Sequence, residues 1–271
     1  MINRKMIGRV LGMLLFIELG MFLLCAGVSA GYGESDYKYF LYTCIINAVV
    51  GGLLLLYGRG AENKMSRRDG YCVVTLSWVF FTFFGMLPFY FSGSIDTITN
   101  AFFETMSGFT TTGATILDDI ESLSHGMLFW RSLTQWIGGL GIVFFTIAIL
   151  PIFTTGGVQL FSAESTGVTH DRTHPKINVM AKWLWTIYLV LTVSETVLLM
   201  FGGMSLFDAI CQSFATTATG GYSTKQNSIS YWNSPYIEYV VAIFMIVSSI
   251  NFSLFLMCLK GKVGRLFKDE E

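Results

Sequence analysis

The chain has 271 residues, of which 53% are hydrophobic and only 13% charged. Soluble domains carry about 25% charged residues, so a water-facing globule is excluded. A formal net charge of −1 leaves no basic footprint for nucleic acid. Five cysteines (Cys25, Cys44, Cys72, Cys211 and Cys258) lie in or beside apolar runs without metal or redox spacing. They read as small buried apolar residues.

A membrane-spanning helix needs about 20 mostly apolar residues. Six runs are predicted as spans: 7–29, 39–57, 71–88, 127–153, 183–201 and 236–259. Arg4, Lys5 and Arg9 before the first run mimic a signal peptide. The run is long and no clean small-x-small cleavage site followed by a soluble domain appears, so it reads as a retained first helix. Two apolar stretches, 96–117 and 205–223, are too short to cross and read as re-entrant loops. Irregular backbone at membrane depth is tolerated only where it is buried in protein or lines a water-filled cavity. Two such loops therefore point to a pore or a substrate site. Trp183 and Trp185 read as interfacial anchors.

Basic residues sort the loops. Arg4, Lys5 and Arg9, then Arg59, Lys64, Arg67 and Arg68, then Arg172, Lys176 and Lys182, and finally Lys260, Lys262, Arg265 and Lys268 fall on one side. The other side holds Lys38 and Lys225, with Arg131 just inside the fourth span, and the acids Glu34, Asp36, Asp96, Asp118, Asp119 and Glu121. By the positive-inside rule both termini are cytoplasmic, and both re-entrant loops enter from outside. An acidic outer face would concentrate cations at a mouth, or be merely solvated.

The chain also repeats itself. Residues 100–115 read NAFFETMSGFTTTGAT, and residues 208–223 read DAICQSFATTATGGYS. Pairing Thr112-Gly113 with Thr219-Gly220 gives preceding helices that differ by about one residue. The expected organisation is two leading helices (1–70), a first helix–pore loop–helix repeat (71–153), a cytoplasmic linker (154–182), a second repeat (183–259) and a linker toward further repeats (260–271). The fold class is an all-α integral membrane protein.

A dehydrated cation needs a shell of oxygens, which rings of backbone carbonyls supply. Glycine permits the dihedrals that line carbonyls along a pore, and threonine adds a hydroxyl acceptor without charge. An apolar helix entering from outside aims its negative C-terminal end at the membrane centre.

Three motifs together resemble the Trk/Ktr/HKT superfamily of potassium transporters, specifically its bacterial TrkH-type membrane subunit: FETMSGFTTTGAT (103–115), WRSLTQWIGGLG (130–141) and ATTATGGY (215–222). The resemblance covers essentially the whole chain. It implies potassium uptake across the plasma membrane (the bacterial inner membrane) as the pore-forming subunit. Potassium is then the transported ion, and no organic cofactor is implied. One filter glycine per repeat, Gly113 and Gly220, would stand beside ion-facing carbonyls at Thr111, Thr112, Ala218 and Thr219. The resemblance also implies a homodimer, a cytoplasmic nucleotide-binding regulatory ring, and contact with membrane lipid. The chain has no nucleotide-binding motif of its own. Family members have four helix–filter–helix units where this chain has two, so the missing C-terminal repeats are expected partners. The charged stretch 268–271, just after a span, is where a linker to them would begin.

Further residues carry two readings each. Glu18 and Glu195, inside spans, are functional groups or carboxyls hydrogen-bonded to a neighbouring helix. Glu104 braces the filter from behind or is exposed at the mouth. Arg131 pairs with an acid or snorkels to the interface. Gly138, Gly139 and Gly141 read as close-packing positions, with a hinge as the alternative. His170 and His174 have i, i+4 spacing, but Pro175 follows and no third ligand is evident. A sodium or mixed-cation transporter of the same superfamily is the nearest alternative. Within the superfamily, serine in place of the first filter glycine goes with sodium permeation, and this chain has Gly113. A membrane enzyme or receptor is more distant, because the three histidines form no acid/base cluster.

Overall fold

The computed structural model describes residues 2–61, 66–141 and 177–250, and every regular element in them is helical. The order is α1 (Arg4–Gly31), α2 (Tyr37–Tyr57), α3 (Arg67–Gly85), α4 (Leu87–Phe91), α5 (Ile98–Phe109), α6 (His125–Leu140), α7 (Ile177–Phe201), α8 (Leu206–Thr217), a 3-10 turn (Ser228–Trp232) and α9 (Pro235–Ser249). Helices over Arg4–Gly31, Tyr37–Tyr57, Arg68–Phe91 and Trp183–Phe201 are long and apolar enough to cross a bilayer.

The first two spans match expectation, with α1 running further at both ends. The 28 residues of α1 extend about 42 Å. The third span extends past the expected 71–88. It starts at a capping box, where the Ser66 hydroxyl accepts from Asp69 N and the Asp69 carboxylate accepts from Ser66 N. It then turns at Met86 and resumes as α4 with Pro88 in the first turn, where a missing N–H costs nothing. The expected fourth span is described only as far as Gly141. α6 ends at Gly141 with φ +77°, and residues 142–153 lie outside the described residues. So do His170 and His174, and residues 251–259 of the sixth span, whose described part is α9. The fifth span begins at Ile177, six residues earlier than expected.

α1 and α2 form an antiparallel hairpin. A Cβ added at Gly12 would lie 2.8 Å from the Gly51 carbonyl oxygen, so the absence of a side chain there sets how closely the two helices pack. Hydroxyls inside the helices turn back on their own carbonyls four residues earlier: Thr43 to Tyr39, Ser77 to Val73, Thr82 to Trp78 and Thr192 to Tyr188. Their donors are thereby satisfied without a partner helix. Glu18, fully buried, accepts from Asn47 Nδ2 at 3.1 Å across the hairpin.

The molecule has two polar faces. At one, Asn3 N donates to Asp69 Oδ1 (2.8 Å), joining the starts of α1 and α3. At the other, Glu34 in the α1–α2 turn accepts from His125 N and from Gly126 N at the start of α6. Tyr32 stacks on the His125 ring there, with centroids 3.9 Å apart. Phe207 at the start of α8 packs against both rings.

α6 is the central post. Trp130 is fully buried, packs on Phe22 (4.6 Å between centroids) and donates Nε1–H to the Gly85 carbonyl at 2.8 Å. A turn and a half later, Trp136 donates Nε1–H to Thr192 Oγ1, and its carbonyl accepts from Tyr188. α6 therefore bonds to both α3 and α7. Trp185 packs on Trp136 (6.1 Å), whereas the expected anchor Trp183 is half exposed.

Candidate functional site

α5 and α8 are the two expected short helices. Each has 12 residues, about 18 Å of rise, against a hydrocarbon core of about 30 Å. They are built alike. Thr97 and Ser205 cap their N-termini with side-chain oxygens, accepting from the backbone N–H three residues on. At the C-terminal ends Thr111 has φ +53° and Thr219 has φ +54°. Thr111 N donates to Gly108 O and Thr112 N to Ser107 O. In the same way Thr219 N donates to Thr216 O and Gly220 N to Ala215 O. Both ends are Schellman motifs with threonine where glycine is usual. A β-branched residue at positive φ is strained, and such strain persists only where the surroundings impose it.

These paired geometries correct the register. Thr111 corresponds to Thr219, Thr112 to Gly220, and Gly113 (φ +75°) to Gly221 (φ +90°). The sequence pairing of Gly113 with Gly220 is off by one, and the two helices are equal in length rather than one residue different. Two adjacent glycines in the second loop made the shorter match look equally good. Backbone conformation, not residue identity, separates them.

The two loops meet. A Cβ on Gly113 would collide with the Gly220 carbonyl oxygen. Both helix ends converge on the last turn of α6: a Cβ on Gly138 would strike the Phe109 carbonyl, and one on Gly139 would lie 2.7 Å from Ala218 Cα. The close-packing role expected of Gly138 and Gly139 holds, and Gly141 is where the helix stops. Ala218 and Gly220 are buried, whereas Thr112, Thr219 and Gly221 are exposed and Thr111 and Gly113 intermediate. Each loop thus has a supported back and an open front.

The back is a polar network. Arg131 and Glu104 are both buried (2% and 1% exposed), with Nε donating to Glu104 Oε1 at 2.7 Å. The readings of a snorkelling arginine and an exposed glutamate are both overturned. Glu104 also accepts from Thr115 Oγ1 and Ile116 N, both at 2.9 Å, so it holds the chain leaving the first loop. Arg131 Nη1 donates to Ser223 O (2.9 Å), and its guanidinium lies over the Tyr222 ring at 3.6 Å. The Tyr222 hydroxyl lies 2.8 Å from Glu104 O and 3.3 Å from Ala114 O. Ser107 Oγ donates to Ala114 O at 2.6 Å. Glu195 is buried behind the second helix and accepts from Thr217 at 3.4 Å, which favours its structural reading.

Sequence reasoning missed Gln135. Its side chain is fully buried, and Oε1 accepts from Tyr222 N at 3.0 Å. The available signal was a second long polar side chain one turn after Arg131, too long to bond back to its own helix as Ser132 and Thr134 do. No cluster of three or more His, Cys, Asp or Glu able to hold a metal occurs among the described residues.

A chain whose described elements are all helical, with several apolar helices of bilayer length and two short helices ending in paired Thr/Gly loops, belongs to the class of multi-pass membrane proteins. A family model described as TrkH, a cation transport protein, matches residues 37–270. The chain belongs to this family. It is 41% identical over 265 residues to the Trk system potassium uptake protein TrkH of Escherichia coli (strain K12), covering 97% of this chain and 55% of that protein. The protein of the same name from Halomonas elongata is 36% identical over 270 residues. The crystal structure of the potassium transporter TrkH from Vibrio parahaemolyticus superposes with a TM-score of 0.81 at 34% identity, covering 96% of this chain and 53% of that one. The chain spans about half the length of the relatives it matches.

Proposed function

We propose that the chain forms part of the ion-conducting wall of a bacterial Trk-type potassium-uptake system, with filter backbone carbonyls replacing the ion's hydration shell. The carrying observation is the matched pair of loops. Two 12-residue helices with the same caps and the same left-handed threonine end on one turn of α6 and bring Gly113 against Gly220. Each belongs to a helix–pore helix–filter–helix unit, over 71–153 and 183–259. The filter segments are Thr111-Thr112-Gly113 and Ala218-Thr219-Gly220, the second extended to Gly221 by the structural register. The exposed fronts of both loops need oxygen-bearing walls opposite them, because unsatisfied backbone in hydrocarbon costs several kcal/mol per group. Two further units of the same transporter supply those walls, in keeping with relatives about twice as long. The protein sits in the inner membrane with both termini cytoplasmic, acts as a homodimer, and is regulated by a cytoplasmic nucleotide-binding ring.

The test is uptake by the complete transporter in cells lacking their own potassium transport. Growth at low potassium should be restored, and Gly113→Ser should reduce the preference for potassium over sodium while the protein still reaches the membrane. Unchanged discrimination in Gly113→Ser would remove the filter assignment. Sodium uptake by the parent at the potassium rate would move the reading to a mixed-cation transporter.

A further inference from the structure

α6 carries four buried polar side chains: Ser132 and Thr134 bond back to carbonyls of their own helix, whereas Arg131 and Gln135, one turn apart, both reach out of their own unit. Arg131 joins Glu104 to Ser223 O, and Gln135 Oε1 accepts from Tyr222 N. The carboxamide of Gln135 occupies the place a side chain on Gly220 would need: a Cβ there would lie 2.6 Å from Oε1 and 2.7 Å from Nε2. Nε2 also lies 3.8 Å from the Cβ position of Gly113. It is buried and has no hydrogen-bond partner among the described residues. The amide orientation is set chemically, because Tyr222 N–H needs an acceptor and only Oε1 is one. The donor end is therefore the end left between the two loops, where the Gly220 carbonyl approaches Gly113.

The arrangement occurs once among the described residues. Aligning α6 and α9 at their N-caps, Ser124 and Ser234, places Val241 and Met245 at the positions of Arg131 and Gln135. Neither can pair with a carboxylate, and neither offers a backbone N–H more than a weak thioether acceptor. Among the described residues the second unit thus has no equivalent grip, and its own loop is held from the first.

Resting on the filter reading above, we propose that Gln135 is a specificity-determining positioning residue. Its Oε1 pins the second filter loop through Tyr222 N–H, and its Nε2 faces the filter backbone at Gly113 and Gly220 and keeps the two loops at their spacing. A neutral carboxamide suits this position. A leucine would strand the Tyr222 N–H without an acceptor, so the loop would yield toward smaller ions. A glutamate would keep the acceptor but set a negative charge beside the carbonyls, holding cations that must leave for conduction to proceed.

The experiment measures rubidium uptake by the complete transporter, with sodium as competitor, in Gln135→Leu, Gln135→Glu and Gly113→Ser. Gln135→Leu should lower the rubidium-over-sodium preference about tenfold at equal membrane abundance. Gln135→Glu should lower both the apparent KM for rubidium and the maximal rate several-fold, a split that a purely structural role does not produce. If Gln135→Leu fails to accumulate, Gln135→Glu, which is isosteric, decides alone. Parental KM and maximal rate in Gln135→Glu, or parental preference in a folded Gln135→Leu, overturns the proposal while Gly113→Ser still loses discrimination. Parental preference in Gly113→Ser as well would instead remove the filter reading on which it rests.

Discussion

Replacing Arg131 by methionine keeps most of the side-chain volume and removes the charge. Glu104 would remain at 1% exposure with no cation beside it. Breaking a buried ion pair from one side costs about 3–5 kcal/mol. Ser223 O would also lose its donor, which adds about 1–3 kcal/mol if no other group replaces it. The cation–π contact with Tyr222 is lost too. Arg131→Met should therefore destabilise the protein by at least about 3 kcal/mol. Glu104→Gln alone leaves Arg131 unpaired and should cost a similar amount. In the double variant the uncompensated charge is gone, while the glutamine can still accept from Thr115 or Ile116. It should lie well above the sum of the singles, with a coupling of about 1–3 kcal/mol. Thermal unfolding of the complete transporter in detergent, followed by size-exclusion of the surviving fraction, gives all four corners of the cycle. Additive losses, or a parental unfolding midpoint for Arg131→Met, would refute the buried pair as the brace joining the two loops.

Thr219→Gly places at φ +54° the residue that this conformation favours. Releasing a left-handed threonine recovers about 1–2 kcal/mol, offset by about 0.5–1 kcal/mol of glycine entropy, so thermal stability should hold or rise slightly while selective uptake falls. A large loss of stability would contradict the strained geometry. Trp130→Phe deletes the donor to the Gly85 carbonyl and should cost about 1–3 kcal/mol in the same unfolding assay. For topology, a cysteine at Ser66 should react with an impermeant thiol reagent only after permeabilisation, and one at Ser122 in intact cells. The reverse pattern would invert the membrane orientation.

The amino-acid sequence by itself determined the membrane class, the leading helix hairpin, and the presence of two short helices followed by Thr/Gly loops. These features depend on local chemistry: apolar runs of bilayer length, N-caps at Thr97 and Ser205, and residues that tolerate or force unusual backbone. Family membership was legible for the same reason, since the motif residues are contiguous. What joins distant segments was not legible. The pairing of Arg131 with Glu104 spans 27 residues, and that of Gln135 with Tyr222 spans 87. Neither distance leaves a periodic trace. Only the tertiary structure decided that Glu104 and Arg131 are buried together, that α6 stops at Gly141, and that Gly221 stands in register with Gly113. A carboxylate reads the same on paper at an exposed surface or behind a buried loop, because burial and partner are set by which helices pack around it.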